Sequence, residues 1–297
     1  MKISKRTKLI AGYIFFALIL GMFGYYINSH QAIVSELKHI NVWLLIILLA
    51  CYGLMLLVLM TLYNAILHLC SDKLKPKENL LLSIYSTLTN FFMPLQGGIA
   101  VRAGYLKRKH KVSVSSYIIA FLIYYAIYAV ISIILVFTPK HYFWLILPMA
   151  VAVALFSYLV IKLALKHFKR LNKPIKLDLS RAKLYKLVLF TIAQVSLQAL
   201  IYYIELNQVT GNLNPLRAIS YTGAANFSIF TAITPGAIGF REAFLSVSKR
   251  MHGFTNSQIV AANIIDRGVF LVFIVGLFIV MISTHANNRF KANKKIT

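Results

Sequence analysis

Two interruptions of the same kind constrain the fold of this chain most strongly. In each, an asparagine is followed by a proline, by glycines and then by an arginine, within a sequence that is otherwise mostly apolar. Proline removes a backbone donor and glycine weakens a helix, so each copy predicts a break in a helix. The first copy comprises Asn90, Pro94, Gly97, Gly98 and Arg102; the second comprises Asn226, Pro235, Gly236, Gly239 and Arg241, which Glu242 follows.

The composition indicates an integral membrane protein. Hydrophobic residues make up 59% of the chain and charged residues 13%, whereas soluble domains carry about 25% charged residues. Six segments are long enough to cross a hydrocarbon core of about 30 Å, which takes about 20 residues. We interpret the first as a retained anchor, because its apolar stretch is long for a signal sequence and no small-x-small cleavage site follows it. The six segments are residues 9–27, 42–67, 113–137, 142–163, 187–206 and 257–282.

The distribution of the net charge of +25 predicts the orientation of these segments. Basic residues concentrate at the N-terminus and at residues 73–77, 107–111, 162–186 and 289–295. The positive-inside rule assigns all five clusters, and therefore both termini, to the cytoplasmic side. The segment around the first break then enters and leaves from the cytoplasm, whereas the segment around the second enters from outside.

These assignments predict an all-α polytopic bundle with about six full spans and two inverted re-entrant helical hairpins, or six to eight membrane segments in all. Irregular backbone persists at membrane depth only where protein or water surrounds it, and secondary transporters place their substrate at such breaks. The alternative is that the interruptions are ordinary kinks of membrane helices. In this prediction the single membrane domain, 1–297, comprises an anchor and external loop (1–41), a first repeat (42–137), a connecting span with a basic loop (138–186), a second, inverted repeat (187–282) and a basic cytoplasmic tail (283–297).

The two breaks and the later pair Asp266 and Arg267 resemble the lysylphosphatidylglycerol synthase transmembrane region, a flippase-like family, over nearly the whole chain. The resemblance implies a helical bundle that moves lipids, such as aminoacylated phosphatidylglycerol, between leaflets. In two-domain members a separate soluble domain makes that lipid from charged tRNA; we find no such domain here and expect no aminoacyl transfer. The chain departs from the family at Ala100, where members often carry an acid, and at Tyr124 and Tyr125, where they often carry an arginine.

Acidic residues number only seven. An ionised group inside the membrane costs at least about 2.5–3.5 kcal/mol unless it is paired or hydrated. Because neighbours on a helix point about 100° apart, we expect Glu242 to pair with Arg267, or Asp266 with Arg241. Either these four residues form a structural ion-pair lock, or one arginine is available to hold a lipid phosphate. Glu205 falls near the outer end of a span. The other four acids are predicted to lie in loops with solvated side chains: Glu36, Asp72, Glu78 and Asp178.

The candidate lipid-headgroup site combines the polar residues of both breaks with those of the last span. Arg102 either snorkels to the cytoplasmic headgroups or faces the hairpin cavity and binds an anionic headgroup. The two asparagines either satisfy backbone groups at the breaks or contact the ligand. Gln194 and Gln198 either line the same cavity or bond a neighbouring helix. The site residues are Arg102, Arg241, Glu242, Asp266, Arg267, Asn90 and Asn226, and the two acids could accept a cationic headgroup or carry a coupling proton.

The predicted function is lipid translocation in the cell membrane, with an anionic or aminoacylated phospholipid, or a lipid-linked headgroup, as substrate. Two alternatives stay open: an integral-membrane transferase acting on a lipid-phosphate carrier, and a non-catalytic partner of a separate lipid-modifying enzyme such as a phosphatidylglycerol lysyltransferase. The sequence favours a transporter over an enzyme, and we assign no catalytic residue, metal or cofactor. The eight histidines lack ligand spacing, and no phosphate-binding glycine loop or nucleophile elbow occurs. Nucleic acid is not an expected partner, and the oligomeric state is left open.

Overall fold

The computed structural model describes residues 41–93, 97–230 and 240–293. The protein is 85% helix, and these described residues contain no strand, which confirms the all-α class. Short 3-10 turns span Lys140–Leu145 and Ser228–Phe230. The helices are α1 (Val42–Leu69), α2 (Pro76–Phe92), α3 (Gly98–Lys109), α4 (Val114–Val136), α5 (Ile146–Arg170), α6 (Arg181–Thr210), α7 (Pro215–Phe227), α8 (Phe240–Val247), α9 (Lys249–His252) and α10 (Asn256–Asn293).

Five helical segments are long and apolar enough to cross a membrane, and they coincide with five of the six predicted spans. The sixth prediction, residues 9–27, lies outside the described residues. The helices extend past the apolar stretches because backbone hydrogen bonding continues into polar sequence; α6 begins at Arg181, six residues before the apolar stretch that starts at 187. The five segments are Val42–Leu69, Val114–Val136, His141–Arg170, Arg181–Thr210 and Asn256–Ser283.

The first predicted break is confirmed. Helix α2 ends at Phe92 and α3 begins at Gly98, while Pro94 lies outside the described residues. The Gly98 N–H donates to Asn90 Oδ1 at 2.7 Å, so this asparagine satisfies a backbone group at the break. A Cβ at Gly98 would collide with the Ser86 backbone oxygen and with Asn90. Glycine therefore lets the chain return tightly against α2.

The other end of this first hairpin is closed around Glu78. Its carboxylate pairs with Lys109 at 2.8 Å and with His110 at 2.9 Å, and it accepts a hydrogen bond from the Tyr105 hydroxyl. These contacts join the first turn of α2 to the end of α3, so the two helices are antiparallel. The expectation that Glu78 lies in a solvated loop is wrong, because Pro76 starts the helix two residues earlier and the side chain gains partners from α3.

The second break also separates two antiparallel helices. Arg217, near the start of α7, donates to the carbonyls of His252, at 3.0 Å, and Gly253, which follow α8 and α9. At the opposite end of α7, the Phe227 ring lies 6.0 Å from that of Phe244 on α8. Residues 231–239, which include Pro235, Gly236 and Gly239, lie outside the described residues. We call this pair of helices the second hairpin.

The two halves of the structure share one order of elements: a long helix, a hairpin and another long helix. Helices α1 and α6 start 139 residues apart, and so do α2 and α7, each of which begins with a proline, Pro76 or Pro215. The same offset relates Arg102 to Arg241. Each hairpin packs against the first helix of its own half and the last helix of the other, since α2 contacts α10 and α7 contacts α4.

The hairpins lie at opposite ends of the bundle. One buried cluster joins the first hairpin to Leu67, near the end of α1, and to Leu187, in the first half of α6. Another joins the second hairpin to Leu48, near the start of α1, and to Leu206, near the end of α6. The central helices α1 and α6 are therefore antiparallel, and each hairpin packs against a different end of this pair.

Gly223 allows α7 to approach α4 closely. A Cβ at this position would lie 2.5 Å from the Ser132 carbonyl oxygen and 2.5 Å from the Val136 nitrogen, both backbone atoms. We predict that Gly223→Ala lowers the free energy of unfolding by about 1–3 kcal/mol, because the helices must separate. The measurement is thermal unfolding in detergent, followed by circular dichroism. Gly53→Ala, in open space on α1, is the matched control; equal stability of the two variants would contradict the prediction.

Glu78 gives the first hairpin a defined pH dependence. Burial disfavours its charge, but hydrogen bonds from His110, Lys109 and Tyr105 outweigh burial and lower its pKa from 4.5 to about 2. Because the folded pKa is the lower one, the stabilisation is complete above about pH 4.5 and is lost as the pH falls toward 2. We predict that Glu78→Gln lowers the free energy of unfolding by about 1 kcal/mol at pH 7. The difference in melting temperature between this variant and wild type should become smaller as the pH falls from 4.5 to 3. A difference that is constant with pH would contradict this.

Candidate functional site

Arg102 lies on α3, four residues after the first break, and its side chain is buried with 1% exposure. Its Nε donates to the Tyr117 hydroxyl at 3.2 Å, Nη1 to Ser83 Oγ at 3.2 Å, and Nη2 to Asn79 Oδ1 at 3.0 Å. The guanidinium also lies 4.2 Å from the centroid of the Tyr63 ring. We call these five residues the Arg102 cluster.

All partners of the Arg102 cluster are neutral. Among the described residues, no carboxylate lies within ion-pair distance of this guanidinium. Arginine stays protonated in proteins, so the cluster holds a positive charge that hydrogen bonds and a ring face stabilise without cancelling it. The structure places this guanidinium inside the bundle and not at its surface.

Arg241 lies near the start of α8 and is bound ionically. Its Nη1 is 2.5 Å from Asp266 Oδ2 on α10, and its guanidinium lies 4.8 Å from the centroid of the Tyr202 ring on α6. Asp266 also accepts a hydrogen bond from the Tyr52 hydroxyl of α1 and contacts the Glu205 carboxyl of α6. These five residues form the Arg241 cluster, in which four helices meet.

Several polar atoms of the Arg241 cluster are buried without a partner. Nε and Nη2 of Arg241 and Oε1 of Glu205 make no hydrogen bond within the described part of the chain. Glu205 itself is 1% exposed. Since buried polar groups are normally hydrogen-bonded, these donors and this acceptor can bind a further polar group.

A second ion pair lies next to the Arg241 cluster. Arg267 Nη2 is 2.7 Å from Glu242 Oε1, and Arg267 Nε is 3.2 Å from the same oxygen. Both cross-pairings expected from the helical geometry, Glu242 with Arg267 and Asp266 with Arg241, are therefore confirmed. Both pairs join α8 to α10, so they fix the second hairpin to the last span.

The two arginines occupy equivalent positions in the two halves. Each guanidinium lies over a tyrosine ring of the long helix that opens its half, Tyr63 for Arg102 and Tyr202 for Arg241. Both tyrosines precede their arginine by 39 residues. The halves differ in the remaining partners, which are neutral around Arg102 and acidic around Arg241.

The amide side chains near the breaks divide into two groups. Asn90 bonds the backbone at the first break, whereas Asn226 is fully buried and its amide makes no hydrogen bond with any described residue. Gln194 accepts from the Tyr124 hydroxyl at 2.9 Å, and Gln198 donates to the Tyr202 hydroxyl at 3.0 Å. Gln198 also accepts from the Tyr128 hydroxyl at 3.5 Å, so these glutamines bond two tyrosines of α4 and one of α6 itself.

The chain's family follows from a match over most of its length. A family model described as the lysylphosphatidylglycerol synthase TM region matches residues 9–277. The chain belongs to this family. The membership confirms the resemblance and identifies a membrane protein related to lipid handling. No curated protein and no solved structure matched the chain.

In this family member the seven predicted site residues do not form one constellation. Arg241, Asp266, Glu242 and Arg267 come together between α8 and α10, whereas Arg102 lies at the other hairpin and shares no hydrogen-bond partner with Arg241 among the described residues. A single headgroup that contacts both arginines would therefore have to lie between the hairpins.

Sequence reasoning left out the tyrosines and Glu205. Tyr52, Tyr63 and Tyr202 look like ordinary aromatic residues of membrane helices, and only the equal 39-residue spacing to an arginine distinguishes two of them. Glu205 had a clearer signal, because an acid within a span is a candidate functional residue by default.

The Glu242–Arg267 pair predicts strong coupling between two positions. Removing one partner of this partly buried pair, whose side chains are 14% and 25% exposed, leaves an uncompensated charge. The losses of stability in Glu242→Gln and Arg267→Gln should therefore add up to more than the loss in the double variant. We expect a coupling energy of about 1–3 kcal/mol in a double-mutant cycle of unfolding in detergent. The control cycle is Asp178→Asn with Lys183→Gln, an ion pair whose side chains are 47% and 27% exposed, and its coupling energy should be at most about 1 kcal/mol. Equal coupling in both cycles would contradict a structural role for the Glu242–Arg267 pair.

Proposed function

We propose that this protein translocates a phospholipid with an anionic or aminoacylated headgroup between the leaflets of the cell membrane. One observation carries the proposal: two broken-helix hairpins, at opposite ends of one bundle, each hold an arginine over a tyrosine ring. Broken helices that face each other from opposite ends are the arrangement in which transporters bind a substrate near the midplane. Membership of a lipid-handling family supports the same conclusion.

The charge distribution supports an inverted orientation of the two hairpins. Helix α3 ends in Lys107, Arg108 and Lys109, and α6 begins at Arg181 with Lys183 and Lys186 close behind. Both basic ends lie beside the first hairpin, so by the positive-inside rule this end of the bundle faces the cytoplasm. The first hairpin is then re-entrant from the cytoplasm and the second from outside, with both termini cytoplasmic.

Arg241 is the side chain best suited to hold the headgroup phosphate. Its Nε and Nη2 donors are without partners among the described residues, and the planar fork of a guanidinium matches a phosphate with two parallel hydrogen bonds. Arg102 adds a positive charge that no described carboxylate cancels, and the N-termini of α3 and α8 add partial positive charge. An anionic headgroup is therefore favoured between the hairpins, while the acyl chains stay in the bilayer.

The carboxylates of Glu242 and Asp266 suit the ammonium group of an aminoacylated headgroup. Glu242 and Asp266 lie within the same region as Arg241, so an ammonium group could exchange places with an arginine at either acid. Asn90 and Asn226 stand beside the breaks, and Asn226 has an amide available for hydrogen bonding. A lipid with both a phosphate and an amino group would then find both complementary charges within the bundle.

The two ion pairs also favour a second candidate function. Arg241 and Arg267 each have an acidic partner already, so the second hairpin is fixed to α10 in this conformation. A protein with that rigid arrangement could serve as a non-transporting partner of a separate lipid-synthesising enzyme. In that case, neutralising Arg241 would reduce stability or assembly and not lipid flux.

The test is leaflet exchange of fluorescent phosphatidylglycerol and lysylphosphatidylglycerol in liposomes that contain the purified protein. We predict that the rate of lipid exchange exceeds that of protein-free liposomes. In Arg241→Gln this rate should fall about tenfold or more, because the loss of only about 1.4 kcal/mol of headgroup binding corresponds to a factor of ten. Arg170→Gln, at the exposed end of α5, is the matched control and should exchange like wild type.

Folding of each variant is checked by its melting temperature before the rates are compared. No exchange of either lipid, with and without an ion gradient, would overturn the proposal. A folded Arg241→Gln variant that exchanges at the wild-type rate would remove Arg241 from the path.

A further inference from the structure

Glu205 is the most completely buried acid in the described part of the chain, at 1% exposure. It lies on α6, and its carboxyl contacts the carboxyl of Asp266 on α10. Its Oε1 accepts no hydrogen bond within the described ranges.

Among the described residues, the group around Glu205 contains two carboxyl groups, its own and that of Asp266, and one cation, Arg241. Arg241 is bonded to Asp266, which also accepts the Tyr52 hydroxyl. Two ionised carboxylates this close repel each other strongly where water is excluded, so two carboxyl groups beside one guanidinium favour a single shared proton. The titratable or charged groups that interact with Glu205 are Asp266 from α10, Arg241 from α8, Cys51 and Tyr52 from α1, Tyr202 from α6 and Tyr221 from α7.

We propose that Glu205 and Asp266 form a proton-binding pair that takes up one proton when an anionic phosphodiester binds Arg241. This inference rests on the proposed function, in which Arg241 holds the headgroup phosphate. Without the anion, the charges of Arg241, ionised Asp266 and protonated Glu205 add up to zero. When a phosphate oxygen binds the Nε and Nη2 donors of Arg241, the phosphodiester and Asp266 share one guanidinium, and a proton from the surrounding water neutralises Asp266.

The charge balance of the bound state is again zero. One positive guanidinium faces one negative phosphodiester, and both carboxyl groups are protonated. No step leaves a net charge in the apolar interior, which is the condition for moving an anionic headgroup through it at low cost. Reciprocally, protonation of the pair releases Arg241 from Asp266, so proton and anion favour each other's binding.

The test is isothermal titration of the purified full chain in detergent with short-chain phosphatidylglycerol, in buffers of different ionisation enthalpy at one pH near 7. The slope of apparent enthalpy against buffer enthalpy counts the protons that enter with each lipid. We expect a slope of about one proton per lipid, and an affinity that falls about tenfold for each unit of rising pH in this range.

Variants assign the proton to the pair. Glu205→Gln combined with Asp266→Asn should bind the lipid with a slope near zero. Cys51→Ser, which alters the thiol facing Glu205, should keep the wild-type slope. If the double variant fails to fold, the slope and the pH dependence of wild type still decide whether a proton accompanies the lipid.

The outcomes separate this inference from the proposed function. Lipid binding by wild type with zero slope and a constant affinity between pH 6 and 8 would overturn the coupling, while leaflet exchange in liposomes would leave the translocation proposal standing. A folded double variant that keeps the wild-type slope would move the proton to another group and also overturn the inference. The absence of both lipid binding and leaflet exchange would overturn the proposed function, and the inference with it.

Discussion

Charged guanidinium groups inside an apolar bundle impose the central constraint on this structure. Arg102, which is buried, and Arg241, which is partly buried, each need hydrogen-bond acceptors and a polarisable surface that lipid cannot supply. The long helices α1 and α6 supply a tyrosine ring to each arginine, at equal distance along the chain. The broken helices bring each arginine to its ring, and the last helix of each half completes its surroundings. The packing of both hairpins therefore depends on where these two side chains can be satisfied.

The two halves meet this constraint in different ways. Around Arg102 every described partner is neutral, so the positive charge is stabilised and retained. Around Arg241 a carboxylate cancels the charge, and a second carboxyl group contacts the first. The uncancelled charge of Arg102 attracts an anion, whereas Arg241 can exchange its carboxylate partner for another anion. One fold thus carries a fixed positive field at one hairpin and an exchangeable ion pair at the other, which is the asymmetry that the lipid-translocation proposal uses.

Much of the architecture follows from local sequence signals. The sequence analysis agrees with the structure on five candidate spans, the first helix break and the separation of α7 from α8. These features follow from the length of apolar segments and from proline and glycine, which affect only the backbone within a few residues. The cross-pairing of Glu242 with Arg267 and Asp266 with Arg241 was also predictable, since adjacent residues on a helix point apart. Glu78 was misjudged as solvated because its partners, Tyr105, Lys109 and His110, come from the far end of the hairpin.

The sequence by itself determined the membrane class, the five helices among the described residues that are long and apolar enough to cross a membrane, and the first helix break, because hydropathy and the loss of backbone donors are local properties. Only the tertiary structure decided which tyrosine faces which arginine, that Arg102 has neutral partners, and that Glu205 meets Asp266. These contacts join residues 15 to 61 positions apart, on different helices. Their formation depends on how helices pack side by side, which no local pattern of residues specifies.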